Sequence, residues 1–135
     1  MLTPVQIAFA LLLLAAAIGA FVRGGTVERR GAGLFALGMA GVVVAEAVTF
    51  DATRLAVLFA IDLGVLAGLA ALAWKSPRPW PVYACGFQTM VLATHVAGWI
   101  DLDMDVRLHA GMLTGFGLAA LATLAIGAWT RPKPR

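Results

Sequence analysis

The chain has 135 residues, 61% of them hydrophobic and only 13% charged, with a mean hydropathy of +0.92. A soluble domain carries roughly 25% charged residues, so a 14.1 kDa globule of this composition could not cover itself with polar side chains. That excludes a cytosolic enzyme, a nucleic-acid-binding domain and a disordered tail. The net charge of +3 comes from short Lys and Arg clusters between apolar runs, which read as topology signals rather than as a nucleic-acid patch.

A helix needs about 20 largely apolar residues to cross the hydrocarbon core of a bilayer. Five stretches meet that requirement: Pro4 to Val22, Ala32 to Phe50, Leu55 to Trp74, Val82 to Ile100, and Leu108 to Trp129. Their continuous Ala- and Leu-rich character argues against barrel strands, which would alternate over about ten residues. The expected fold is therefore all-α, a single integral membrane bundle of five transmembrane helices with no appended soluble domain.

The first span has no basic segment before it, and its arginines follow it instead. It therefore reads as a retained span rather than a secretory signal. The first connection carries Arg23, Arg29 and Arg30, the third Lys75 and Arg78, and the tail Arg131, Lys133 and Arg135. Together these place eight of the ten basic residues on one side. By the positive-inside rule the N-terminus is expected outside and the C-terminus in the cytoplasm of a bacterial inner membrane. Trp74, Trp80 and Trp129, with Tyr83, fall at the expected cytoplasmic ends and Trp99 at an outer end, as an interfacial aromatic belt would.

Ionisable residues inside spans are costly, about 2.5–3.5 kcal/mol each near the centre, and mark functional sites by default. Glu46, Asp62 and His95 lie in spans two, three and four, with His109 at the start of span five. Counted from the expected outer ends they sit roughly 6, 10 and 8 Å deep for the first three. Gln88 and His95 are two helical turns apart on one face of span four, and Thr94 lies one residue off it. Asp62 is the natural partner of His95 at that depth. Glu46, Asp62, Gln88, Thr94 and His95 thus form a candidate polar cluster. It would be a site for protons, a cation or a polar ligand, or else an interhelical hydrogen-bond clamp that fixes register. Haem ligation by the two histidines is disfavoured, because His109 looks too superficial.

The outer run Asp101, Asp103, Asp105 lacks the Gly and the distant Glu of a calcium loop and reads as solvated acidic surface. Cys85, the single cysteine, rules out a disulfide framework and reads as a packing residue. Small residues four apart, Gly64 with Gly68 and Gly111 with Gly115 among them, predict close helix packing or a further partner helix. Span three, with Asp62 on one face and Gly64 and Gly68 on another, is expected at the centre.

The segment Arg78-Pro-Trp-Pro-Val-Tyr-Ala-Cys-Gly-Phe-Gln88, followed by Thr94-His95, resembles small multi-pass bacterial inner-membrane proteins that share these features in one span. The resemblance covers about a third of the chain and implies no activity. Signatures of small multidrug transporters, fluoride channels and mercury carriers are missing, as are nucleophile, phosphate-loop and zinc-protease motifs. No catalytic residue, metal ligand or cofactor is expected. The leading expectation is a non-catalytic accessory or structural subunit of a larger membrane complex. Its partners would be the lipid bilayer and other membrane subunits or a second copy, with no nucleic acid. The alternative is a small proton- or cation-coupled transporter or channel using the polar cluster.

Overall fold

The computed structural model describes residues 4–48, 51–101, 103 and 105–130, with the side chains of all of these except 5, 6, 51 and 52. The basic tail Arg131, Lys133 and Arg135, and Phe50 at the end of the second expected span, lie outside the described residues. The described chain folds as five helices: α1 Pro4–Val22, α2 Thr26–Val48, α3 Asp51–Lys75, α4 Trp80–Ile100 and α5 Val106–Trp129. Three of them are long and apolar enough to cross a membrane, namely α2, Thr53–Lys75 of α3, and α5, while Ile7–Val22 of α1 is a shorter apolar helix. The polar side chains of Gln88, Thr89, Thr94 and His95 make α4 the less apolar one.

Four helices begin before the apolar runs do. The shift is largest at α2, which begins at Thr26 rather than Ala32. Glu28, three residues on from Gly25, accepts the Gly25 backbone N–H at 2.8 Å. That bond satisfies one of the free donors that every helix start presents. Arg29 and Arg30 are consequently helical rather than part of a loop. At α5 the Asp105 carboxylate accepts the backbone N–H of Arg107 at 2.8 Å and caps the helix. Pro81 occupies the first turn of α4, where its missing N–H costs nothing.

The helices close a ring in which each packs on its neighbours in sequence, α5 returns to α1, and α2 also touches α5. Because successive helices run antiparallel, Arg23, Arg29, Arg30, Lys75 and Arg78 gather at one end, the basic end. Asp101, Asp103 and Asp105 mark the other, the acidic end. Contrary to expectation α3 is not central: it packs between α2 and α4, whereas α5 touches α1, α2 and α4.

The dense core lies toward the basic end. It joins Ala16 and Ala20 of α1, Ala32 and Phe35 of α2, Val65 and Leu69 of α3, Trp80 and Ala84 of α4, and Ala120, Leu121, Leu124 and Ala128 of α5. Cys85 packs against this core. Outward faces carry large apolar side chains, among them Leu11, Phe21, Leu37, Val44 and Ile100, as a lipid-facing surface would.

The packing glycines divide. A Cβ at Gly68 would meet Leu34 of α2 at 2.7 Å, so that position is a close helix contact. Gly64, Gly111 and Gly115 face open space, with nothing within 4 Å, and so do not pack helices within this bundle. The cause is α3's position on the rim and the outward turn of that α5 face.

Trp80 also departs from expectation. It is 3% exposed, a core residue rather than part of an interfacial belt. Its indole is threaded between Gly31 of α2 and Gly127 of α5, where no side chain obstructs it. Trp74, Tyr83, Trp99 and Trp129 remain exposed. The Trp129 ring carries the Arg23 guanidinium 4.5 Å from its centroid.

Candidate functional site

Two helices meet at the polar cluster. Asp62 stands eleven residues into α3, about 16 Å along it and so near its middle, deeper than a count from the apolar edge suggested. Its two carboxylate oxygens reach two different turns of α4. Gln88 Nε2 donates to Oδ1 at 2.9 Å, and His95 Nε2 lies 2.9 Å from Oδ2. The seven-residue spacing of Gln88 and His95 is what lets one carboxylate serve both. Gln88 and His95 are buried, and the Asp62 side chain is 21% exposed.

An ionised carboxylate only accepts hydrogen bonds, so both nitrogens must donate. Facing an ionised Asp62, a neutral His95 carries its proton on Nε2, and its Nδ1 is then an acceptor. Nδ1 is enclosed and has no hydrogen-bond partner. Phe59 stands edge-on to the imidazole, with centroids 6.2 Å apart and planes at 88°. Phe59 also packs on Trp99 at 4.9 Å, so aromatic rings wall this part of the cluster. Chemically, the pair can take a proton at His95 and pass one to Asp62 across a single hydrogen bond.

Not every expected member joins. Thr94 is buried, but its hydroxyl donates to the Met90 carbonyl of its own helix at 2.8 Å, so a local bond occupies it. Glu46 is exposed near the end of α2 and takes no part in the bonds linking Asp62, Gln88 and His95. Asp101, Asp103 and Asp105 are exposed. Asp101 accepts the Asp103 backbone N–H at 3.2 Å and Asp105 caps α5, so both carboxylates are engaged with local backbone. Among the described residues no group of three or more His, Cys, Asp and Glu is placed to hold a metal ion.

His109 is the residue that sequence reasoning set aside as superficial. Its ring lies 6.1 Å from that of His95, centroid to centroid, and it packs on Gly98 of α4, where a Cβ would stand 2.7 Å from Cε1. The signal was available: a short connection joins α4 to α5. His95 lies five residues before it and His109 three residues after the α5 start, at similar heights.

A second polar group, at the basic end, was missed entirely. Arg78 Nε donates to Glu28 Oε1 at 3.0 Å, and Arg78 Nη2 donates to the Gly127 carbonyl at 2.8 Å. Glu28 is 2% exposed. The group ties the start of α2, the α3–α4 connection and the end of α5 together around Trp80. The Gly25-to-Glu28 spacing of a capping box was the one cue in the sequence.

No protein-family model matches the chain, and no solved structure does. The chain is similar to a protein of Rhodopirellula baltica described as the Na(+)/H(+) antiporter NhaA. The two are 28% identical over 116 residues, which cover 75% of this chain and 26% of the antiporter. The chain thus spans about a quarter of the length of the curated relative it matches. With the three long apolar helices, this similarity supports a multi-pass helical membrane protein.

Proposed function

We propose that the chain is a five-span protein of the bacterial inner membrane, N-terminus outside and C-terminus cytoplasmic, whose Asp62–His95 pair binds and releases a proton during cation movement. The observation that carries this reading is the partly buried Asp62 carboxylate bonded at 2.9 Å to each of the buried Gln88 and His95 on the facing helix. Intramembrane acid–imidazole pairs are the usual means of relaying protons. The relative's identity as a Na(+)/H(+) antiporter favours the same class. Alternation of basic residues between the two bundle ends supports the five-span orientation.

The test is Asp62→Asn in reconstituted vesicles carrying an internal pH dye and an imposed sodium or potassium gradient. Asparagine keeps the shape and still accepts from Gln88, and its amide donates to the other His95 tautomer, so the fold should survive. Proton movement should fall to the level of protein-free vesicles. Wild-type protein that moves no protons under any imposed cation gradient would overturn the reading.

One observation favours a second reading. Gly64, Gly111 and Gly115 present bare backbone on outward faces of α3 and α5, where a helix of another subunit could seat closely. Under that reading the chain is an accessory subunit, and mild-detergent purification from its native membrane recovers a larger complex in fixed proportion.

A further inference from the structure

Both histidines of the chain have a buried ring nitrogen without a partner. His95 Nδ1 and His109 Nδ1 are each enclosed and unbonded, yet their ring centroids are only 6.1 Å apart, with planes at 71°. A buried imidazole nitrogen left unsatisfied is destabilising. Each of these nitrogens can be satisfied by one water admitted between the two rings, which would take a polar contact from either side. His95 is 3% exposed, whereas His109 is only partly buried and sits in the first turn of α5, at the end marked by the exposed Asp101, Asp103 and Asp105. His95 therefore stands next to both His109, near the acidic end of the bundle, and Asp62, near the middle of α3.

We infer that His109 passes protons between the acidic end and the Asp62–His95 pair, through one water held between the two Nδ1 atoms. This rests on the proton-binding reading of that pair. The transfer balances without any co-reactant. His109, carrying its proton on Nδ1, takes up a second at Nε2 from the acidic end and gives the Nδ1 proton to the water, which gives one of its own to His95 Nδ1. His95 then releases its Nε2 proton to Asp62 Oδ2.

The groups facing His109 are few. On α4 there is His95, and beyond it Asp62 of α3. On its own turn the Asp105 carbonyl accepts the His109 backbone N–H at 2.9 Å, the Asp105 carboxylate is occupied in capping, and Arg107 is exposed. On α2 the ionisable residue at this end is Glu46, which is exposed, and α1 has no ionisable residue between Pro4 and Val22. Within the bundle interior, then, His95 is the group to which His109 can hand a proton.

Two histidines in the whole chain make the experiment direct. The protein labelled with ¹⁵N-histidine, in lipid nanodiscs, gives one imidazole signal set for each ring. The rate of proton exchange at His95 Nδ1 is then read by NMR across pH. His109→Gln should slow that exchange by about a hundredfold or more, the range lost with a positioned proton donor, while the His95 Nε2–H signal persists. Gly98→Ala should do the same with His109 still present, because its new Cβ would stand 2.7 Å from the His109 ring and displace it. It also serves where His109→Gln does not fold. Unchanged His95 exchange in both variants overturns the relay, whatever the vesicles do. Slowed exchange in protein that moves no protons across vesicles would retain the relay and defeat the transport reading.

Discussion

Replacing Gly127 by Ala asks the bundle to accept one methyl group at its tightest point. A Cβ there would stand 2.5 Å from Trp80 Cδ1, 2.6 Å from Cγ and 2.9 Å from Cβ. These are atoms at the root of the side chain, so no rotation of a flexible tip relieves them. The ring cannot retreat either, because its opposite edge already fills the space beside Gly31. Overpacking a filled core costs about 1–3 kcal/mol. Contact at the root, with both sides blocked, places this variant near the top of that range, at about 3 kcal/mol. The shift also strains the Gly127 carbonyl that Arg78 holds. Gly111→Ala is the control: nothing lies within 4 Å, and the gain in helix propensity of about 1 kcal/mol should leave it at least as stable as wild type. Unfolding in mixed micelles by stepwise addition of a denaturing detergent measures both. Repeating the measurement in a Trp80→Leu background closes a double-mutant cycle, in which Gly127→Ala should cost less than about 1 kcal/mol. An equal cost in the two backgrounds would refute the argument, as would a Gly127→Ala protein as stable as Gly111→Ala.

Three further substitutions probe the polar groups. Arg78→Lys should lower stability by about 1–3 kcal/mol in the same assay, since one ammonium cannot serve both the Glu28 carboxylate and the Gly127 carbonyl. Gln88→Leu removes one donor to Asp62 and should cost about 1–2 kcal/mol, the worth of an interhelical bond in a membrane. Thr94→Val severs only a bond within α4 and should stay within about 1 kcal/mol of wild type.

The helices were legible because each is written as a long apolar run, and the pairing of Asp62 with Gln88 and His95 was legible because a seven-residue spacing survives in any straight helix. What was hidden depends on which residue meets which. Glu28 gave no sign in the sequence of its partner Arg78, fifty positions away. Trp80 sits beside a proline-rich connection, where an indole usually marks the membrane surface. Its burial follows from two glycines on other helices that leave room for it. The Gly64 and Gly111–Gly115 pattern says that a backbone can be approached, not what approaches it. His109 was misplaced by one assumption, that depth starts where apolar residues start, although its helix begins at Val106.

The uneven packing of the bundle gives it a fulcrum. The Glu28–Arg78–Trp80 lock holds α2, α4 and α5 at the basic end, while His95 lies fifteen residues further along α4, about 22 Å away. Over an arm of that length a tilt of about 5° carries the imidazole about 2 Å sideways. Such a displacement is enough to part His95 from Asp62, now 2.9 Å apart, without disturbing a single contact in the locked half. A lever of this proportion turns a small rocking of one helix into the making and breaking of one hydrogen bond.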